Sequence, residues 1–468
     1  MPEDKSPSPA YKPTNAWDVY GEGDAAAAMT AFVDGYIDFL SHCKTERETV
    51  AWCERHLRER GFGDDPAGRL YVRSLRGKCL FAFARGSEPL SAGISLIAAH
   101  GDCPRLDFKQ HPLVEQEGYS LAKTHYYGGI RKYHWLSIPL ALHGVIIKDN
   151  GETVPVRVGE EPGDPVFTIP DLLPHLAQSQ VTKTVREAFE GEKLNVVLGN
   201  RPLKAEDGKE LKEPVKAALL NLLQERYGVT EEDFITAEIQ VVPAARPAYV
   251  GFDRSLVGSY GQDDRICVYT GLMALCDAAE HATANIALMV WDKEEIGSDG
   301  ATGASSHFIR YCVEDVIRAH EPQTPVGHVM LASRALSADV TAGVDPDYPE
   351  AHEKANSALL GNGPCFVKYT GSGGKYGASE AHAEFFAAMR GLLNRAGVPW
   401  QAGELGKVDH GGGGTVALFL AAWGMNVVDC GPALLAMHSP FELSSTADIY
   451  STYMCYRAFY RACSALTD

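Results

Sequence analysis

The stretch "LMVWDKEEIGSDG" (residues 288–300) joins an apolar run to two adjacent carboxylates, Glu294 and Glu295, and then to glycine. The apolar run predicts a buried strand. Two glutamates at its end are unfavourable for structure alone because like charges repel, so the pair indicates a bound cation or a proton-transfer step. Acidic pairs are more often simply solvated, and the rest of the chain decides between these interpretations.

Short apolar runs alternate with helical patterns on both sides of this stretch. Strands are predicted for Ile94–Ala99, "ANIALMVW", "GHVMLAS" and "MNVVDCG", and helices for "AAAAMTAFVDGYIDFLSHC", "ERETVAWCERHLRERG" and "RICVYTGLMALCDAAEH". This alternation predicts an α/β fold with a mostly parallel central sheet flanked by helices. Because the sequence between about Leu106 and Tyr249 is rich in strand-like segments, we expect one α/β domain (1–106 and 250–468) interrupted by an inserted β-rich domain (107–249).

Composition narrows the class of protein. The chain has 468 residues, enough for two domains, and its formal net charge of −18 disfavours a nucleic-acid partner. No run reaches the roughly 18 apolar residues of a membrane span, and the start lacks a signal peptide, so a cytoplasmic protein is expected. The 11 cysteines form no C-x-x-C pair and predict reduced thiols. The polar, proline-rich start, to about Asn15, predicts a loose arm.

Five potential metal ligands follow apolar runs or begin a helix. The carboxyl ends of strands in an α/β sheet bring such residues together. Two imidazoles and three carboxylates suit two divalent ions, most simply zinc, with cobalt or manganese as alternatives, and one carboxylate bridging both ions. The five residues are His100, Asp263, Glu295, Asp339 and His438.

Two further acids have roles beside these ligands. Asp102 stands in H-x-D spacing from His100, where a carboxylate can accept the other ring N–H and fix the tautomer. Glu294, next to a ligand, could take a proton from water and pass it to a leaving amine. Each residue alone has an ordinary explanation: a lone histidine is usually a loop residue, and Asp263 is a good helix N-cap. The joint pattern favours a hydrolytic metal site.

Six segments together resemble the aminopeptidase I and aspartyl aminopeptidase family of dinuclear zinc metallopeptidases. They occur in that family's order and span about His100 to Ser445. The segments are "AAHGDCPRLDFKQHP", "THYYGGIRKYHWLSIPLALHG", "GQDDRICVYTGLMAL", "WDKEEIGSDGATGASS", "ALSADVTAGVDPDYPEAHEKAN" and "LLAMHSPFELSS".

The resemblance implies a role for each candidate residue. His100 and Asp339 would bind one metal, Glu295 and His438 the other, and Asp263 would bridge, with Asp102 and Glu294 in the roles above. It also implies that the insertion is a dimerisation domain, that short peptides lose their N-terminal residue, and that the chain forms a homo-oligomer, a tetrahedral dodecamer. "IPDLLPHLAQ" resembles a segment that reaches a neighbouring subunit's site, which would make His175 a substrate contact in trans.

The chain departs from the family pattern at several positions. Cys103 replaces the usual Ser or Thr, Asp264 stands where many members have Asn, and Ala342 and Asp345 stand where aspartyl-specific members have histidines. These differences leave the preferred N-terminal residue open between acidic, basic and neutral, although "THYYGGIRKYHW" favours the aminopeptidase I branch.

Other functions receive less support from the sequence. "DHGGGGTVAL" could form an oxyanion loop of an α/β-hydrolase, but no G-x-S-x-G elbow occurs in the chain. "GSGGKYG" lacks the spacing of a phosphate loop, and its Lys375 is either a substrate contact or a solvated lysine. Two rivals remain at this point: a dinuclear-metal carboxypeptidase or amide deacylase, and a non-catalytic, self-assembling binding protein.

Overall fold

The computed structural model describes residues 11–204 and 211–462. The described strands are, in chain order, β1 (Leu70–Leu75), β2 (Cys79–Ala84), β3 (Ile94–His100), β4 (Arg105–Gln116), β5 (Tyr119–Tyr127), β6 (Leu140–Ile147), β7 (Thr153–Val158), β8 (Val196–Gly199), β9 (Glu238–Pro243), β10 (Ala248–Val250), β11 (Leu256–Ser259), β12 (Asn285–Trp291), β13 (Arg334–Ser337), β14 (Thr341–Ala342), β15 (Cys365–Val367), β16 (Gln401–Ala402), β17 (Asn426–Gly431), β18 (Ala433–Leu435) and β19 (Glu442–Ser445).

The described helices are α1 (Ala16–Tyr20), α2 (Gly23–His42), α3 (Glu46–Arg58), α4 (Gln178–Val181), α5 (Val185–Ala188), α6 (Pro214–Tyr227), α7 (Gln262–Ala279), α8 (Phe308–His320), α9 (Val326–Ala332), α10 (Ala383–Ala396), α11 (Ala417–Ala421) and α12 (Thr446–Arg461). The three helices predicted from the sequence correspond to α2, α3 and α7. A capping box between Thr45 and Glu48 begins α3.

An eight-stranded sheet forms the centre of the molecule, in the order β1-β2-β12-β3-β13-β17-β15-β16. Its middle four strands are parallel, while β1, β2 and β15 pair with their neighbours towards the centre in antiparallel fashion. The predicted α/β fold with a helix-flanked sheet is confirmed. The edge strand β16 is parallel to β15, and in the middle of the sheet the parallel strands β12, β3 and β13 end side by side.

Both faces of this sheet are covered. In β12, Leu288 and Val290 pack into the core formed with α2, α7 and α12, whereas Met289 and Trp291 pack into the core with α8, α9 and α11. A strand buried on both faces has apolar residues at every position instead of alternate ones. This is why the sequence before Glu294 reads as a continuous apolar run.

The strand predicted for "GHVMLAS" is wrong, because these residues form α9. Pro325 precedes the helix and Val329 and Met330 are its buried positions, so the apolar residues cover one helical face. The strand of this region is the next four residues, β13, all of them buried. A short apolar run cannot by itself distinguish a buried strand from a short helix.

Two smaller sheets complete the fold. The six-stranded sheet β7-β6-β9-β4-β5-β8 is entirely antiparallel and is built from residues 105–243. The five-stranded sheet β10-β11-β19-β18-β14 joins β10, where the chain leaves the six-stranded sheet, to strands near the C-terminus. The six-stranded sheet thus interrupts the chain between β3 and β11.

Three sequence predictions concern the chain as a whole. The ten cysteines in the described ranges are all free thiols. None of the helices between residues 11 and 462, the gap at 205–210 apart, is both long and apolar enough to span a membrane. Most of the predicted N-terminal arm, residues 1–10, lies outside the described residues, and the Tyr11 ring lies 5.9 Å from that of Trp400.

Candidate metal centre

Several candidate ligands lie at the carboxyl ends of neighbouring strands of the central sheet. His100 is the last residue of β3, Glu294 and Glu295 begin a single 3-10 turn just after β12, and Asp339 lies two residues after the end of β13. These three strands are adjacent and parallel, so their carboxyl ends meet at one place. The predicted meeting of residues far apart in sequence therefore occurs.

Asp263 lies between the two histidines. Its Oδ1 is 3.3 Å from His100 Nε2 and its Oδ2 is 3.2 Å from His438 Nε2. Asp263 and Asp264 have non-helical backbone angles within α7, so the regular helix begins after them. The Asp263 carboxylate thus points at two imidazoles instead of capping the helix, as a ligand shared by two metal ions must.

The other acids divide between the two histidines. Asp339 Oδ1 is 3.7 Å from His100 Nε2, and Glu295 Oε2 is 3.5 Å from His438 Nε2. Three combinations of ligand atoms lie within 4.8 Å of one another: His100, Asp263 and Glu295; His100, Glu294 and Asp339; and Asp263, Asp264 and Asp339. All five ligands predicted from the sequence lie in this one cluster.

The cluster fits divalent cations on physical grounds. Asp263 Oδ1 and Glu295 Oε1 are buried and have no hydrogen-bond partner within the described ranges. A buried, unpaired carboxylate oxygen is costly, and a cation is the partner that carboxylate and imidazole groups share. The donor set of imidazole nitrogens and carboxylate oxygens is the one that zinc takes in hydrolytic sites.

Without a cation, the acids in this cluster destabilise one another's charged forms. Burial, together with the neighbouring carboxylates, raises the pKa of Glu294 to about 8 and that of Glu295 well above its usual range. Burial alone would disfavour a charged imidazole, yet Asp263 and Glu295 raise the pKa of His438 to about 10. In the glutamates the neighbouring carboxylates add to the effect of burial on the pKa, and in His438 they outweigh it; bound cations would offset this negative charge.

The two adjacent glutamates differ in exposure. The Glu295 side chain is 5% exposed and faces His438, whereas the Glu294 side chain is 14% exposed, and both line the cleft beside the cluster. Glu295 is therefore the more buried of the two carboxylates, and Glu294 is the more open to water. This difference in exposure distinguishes the two adjacent glutamates of "LMVWDKEEIGSDG".

The Asp102 carboxylate lies closer to the backbone of the two glutamates than to the His100 ring. Its carboxylate accepts the backbone N–H groups of Glu294 and Glu295 at 3.1 and 3.2 Å. His100 Nδ1 lies 3.0 Å from the main-chain carbonyl of Asp102 and 3.4 Å from its carboxylate. The carbonyl thus holds the ring, and the carboxylate fixes the turn that carries both glutamates.

Sequence reasoning missed Glu442, which is buried behind the cluster. Its Oε1 accepts the N–H of His438 at 2.7 Å, and its Oε2 accepts the N–H groups of Gln262 and Asp263 at 2.6 and 3.2 Å. His438 has a φ of 66°, a strained value for a non-glycine residue that these contacts maintain. The only signal in the sequence was the glutamate four residues after His438 in "HSPFE".

A cleft of about 980 Å³ opens onto the cluster. Its wall includes the glycines of residues 411–414 and Lys375. Lys375 is paired with Glu380 at 3.1 Å and lies 3.8 Å from the Tyr369 ring centre, so its role towards substrate stays a prediction. His175 is exposed and is not part of this wall, so its predicted contact would have to be made in a second copy of the chain.

Comparison with known proteins identifies the family. The model of the family described as "Aminopeptidase I zinc metalloprotease (M18)" matches residues 39–460. The chain belongs to this family. The M18 assignment agrees with a Thermotoga maritima protein named "Probable M18 family aminopeptidase 1", which is 49% identical over 439 residues, covering 92% of this chain and 95% of the relative.

Solved structures agree with the M18 assignment. The crystal structure of an M18 family aminopeptidase from Thermotoga maritima is 46% identical, with a TM-score of 0.91 over 97% of this chain and all of that one. A structure described as the Saccharomyces cerevisiae mApe1 dodecamer shares the fold at 20% identity and a TM-score of 0.76, over 95% and 98% of the two chains. This M18 aminopeptidase is therefore a metal-dependent peptide hydrolase of the zinc metalloprotease class.

Proposed function

We propose that the chain removes the N-terminal residue of short peptides at a site that holds two divalent metal ions, most simply zinc. The observation that carries this proposal is the Asp263 carboxylate, whose two oxygens face different histidines at 3.3 and 3.2 Å. One carboxylate shared between two imidazole-containing ligand groups is the arrangement that a dinuclear hydrolytic site requires.

The distances support a division of the ligands into two groups. His100 and Asp339 would hold one ion, Glu295 and His438 the other, and the Asp263 carboxylate both. When bound, the ions supply Lewis acidity that polarises the scissile carbonyl and acidifies a water molecule. Glu294, open to the cleft, accepts the proton of the attacking water and delivers it to the leaving amine. Asp102 keeps Glu294 in place through the Glu294 N–H.

The rival functions lose support at this point. A carboxypeptidase or amide deacylase could use the same ligands, but the relatives of this chain are named aminopeptidases. A non-catalytic binding protein has no need of a glutamate that is open to the cleft beside a buried ligand set. We therefore assign the reaction to the free N-terminus of a peptide.

A panel of unblocked dipeptides and their N-acetylated counterparts tests the reaction. We expect the purified protein to release free amino acids from the unblocked peptides, to stop after treatment with a chelator, and to resume when zinc, cobalt or manganese is restored. The panel also reports the preferred N-terminal residue. Equal release from the acetylated peptides would indicate a deacylase, and no release with any of these metals would contradict the proposal.

We also propose that residues 107–249 form a dimerisation domain and that the chain assembles into a homo-oligomer, a tetrahedral dodecamer. Leu172, Leu173 and Leu176 surround His175 and are exposed in the single chain, as expected for a segment that a second copy covers. The dodecameric mApe1 shares the fold.

Light scattering should give about twelve times the chain mass, and a monomer mass would contradict the assembly and the trans contact of His175. The cytoplasmic location stays a prediction.

A further inference from the structure

Three consecutive residues at the end of β5 lie against three different groups of the candidate metal centre. Tyr127 donates a hydrogen bond to Asp102, Gly128 lies beside Glu295, and Gly129 accepts a hydrogen bond from His438. We name residues 127–129 the β5 turn. Through the β5 turn, the six-stranded sheet contacts the candidate metal centre at the edge of the central sheet.

The first contact is a hydrogen bond from Tyr127 to Asp102. The phenol donates to Asp102 Oδ2 at 2.8 Å, and the same carboxylate accepts the N–H groups of Glu294 and Glu295. Asp102 is fully buried, so its charge depends on these donors. Burial and the Asp102 charge raise the pKa of Tyr127, which keeps the phenol protonated as a donor.

The Tyr127 ring is itself held in place. The Arg105 guanidinium lies 3.8 Å from the centre of the ring, in the position of a cation–π contact. Arg105 is tied in turn to Asp107 at 2.8 Å and lies 3.8 Å from the buried Glu46. The phenol oxygen is therefore positioned by groups on the six-stranded sheet and on α3.

The two glycines allow the turn to approach the ligands. A Cβ added to Gly128, whose φ is +71°, would lie 3.4 Å from Glu295 Cβ, and one added to Gly129 would lie 3.3 Å from His438 Nδ1. His438 Nδ1 lies 3.0 Å from the Gly129 carbonyl oxygen. Because a carbonyl only accepts, Nδ1 carries a proton, and Nε2, which faces Asp263 and Glu295, is the ring nitrogen that could bind a metal ion.

From these contacts we propose that the β5 turn is a positioning element of the metal centre: Tyr127 sets the Asp102 carboxylate that holds both glutamates, and Gly129 sets the His438 ring. This inference rests on the proposed dinuclear function and extends it, since it makes the six-stranded sheet part of the active-site framework. A shift of that sheet would alter metal affinity and turnover without removing any ligand.

The test compares Tyr127→Phe with Tyr126→Phe. Phenylalanine keeps the ring beneath Arg105 and removes only the phenol that bonds to Asp102. Tyr126 is the adjacent residue, 46% exposed, and its hydroxyl has no hydrogen bond among residues 11–204 and 211–462. We expect Tyr127→Phe to bind zinc about tenfold more weakly and to lower kcat about tenfold, as loss of an outer hydrogen bond does at other metal sites. KM should stay nearly constant, and Tyr126→Phe should match the wild type.

Zinc affinity is measured on the metal-free protein by competition with a chromophoric chelator, so it needs no catalysis. If the wild type binds zinc but cleaves no peptide, the proposed function fails while the affinity comparison still decides the role of the turn. Gly129→Ala is a second variant, because its Cβ would press on His438, and it too should weaken zinc binding. Wild-type zinc affinity in both variants, with wild-type kcat, would overturn the proposal. If Tyr127→Phe fails to fold, Gly129→Ala alone decides.

Discussion

Glu294→Gln is expected to keep its metal ions and to lose turnover by about 10³-fold, the range over which a general base accelerates a reaction. Glutamine occupies the same space and keeps the backbone N–H that bonds to Asp102, but its amide cannot accept a proton from water. Steady-state kinetics on the best dipeptide and elemental analysis of the same preparation measure both quantities. Glu225→Gln, an exposed change on α6, is the matched control and should behave as the wild type.

The metal content of this variant is as informative as its activity. Glu294 Oε2 lies 3.9 Å from His100 Nε2, and Glu294 groups with His100 and Asp339 as a ligand would. If Glu294 is a ligand, the glutamine variant loses an ion together with its turnover. If Glu294 is the base, the ions remain and only kcat falls. Wild-type turnover in Glu294→Gln would contradict both roles.

The sequence predicted the central strands well because they are buried on both faces. β3 and β12 are apolar at nearly every position. β3 ends at His100 and β12 ends just before the glutamate pair, so the sequence indicated where both strands end. The failure at α9 came from the same source, since a short apolar run has no period that separates helix from strand. The antiparallel pairing of β2 with β12 and of β15 with β17 joins segments that are distant in sequence, which single-sequence patterns do not encode.

The candidate site was predicted as a set of ligands, and its supporting contacts were not. The ligands are chemically distinctive residues at strand ends. Glu442, Tyr127 and Gly129 act through backbone groups or through a single phenol, so their residue types give no metal signal. Their contacts join segments that the sequence separates by 25 residues for Tyr127 and Asp102, by 180 for Glu442 and Gln262, and by 309 for Gly129 and His438. Such contacts become visible only once the chain is folded.

Asp263→Ala is expected to have the largest effect on metal content, because it removes the one carboxylate that faces both histidines. Each ion would lose a ligand, and the two imidazoles would lose the negative charge between them. We expect neither ion to be retained after dialysis and no measurable aminopeptidase activity. Elemental analysis per chain measures the first quantity, and the dipeptide assay the second. His111→Gln, on the exposed part of β4, is the control that should retain both ions.

His438→Gln separates a shared site from two independent ones. His438 faces Asp263 and Glu295, whereas His100 faces Asp263 and Asp339, so loss of His438 should release one ion and leave the other with its ligands. The expected order of metal content is therefore wild type, then His438→Gln, then Asp263→Ala. Equal losses in the two variants would mean that the ions bind only as a pair. Full metal occupancy in Asp263→Ala would contradict the bridging role of the Asp263 carboxylate, because it would show that both ions bind without a shared ligand.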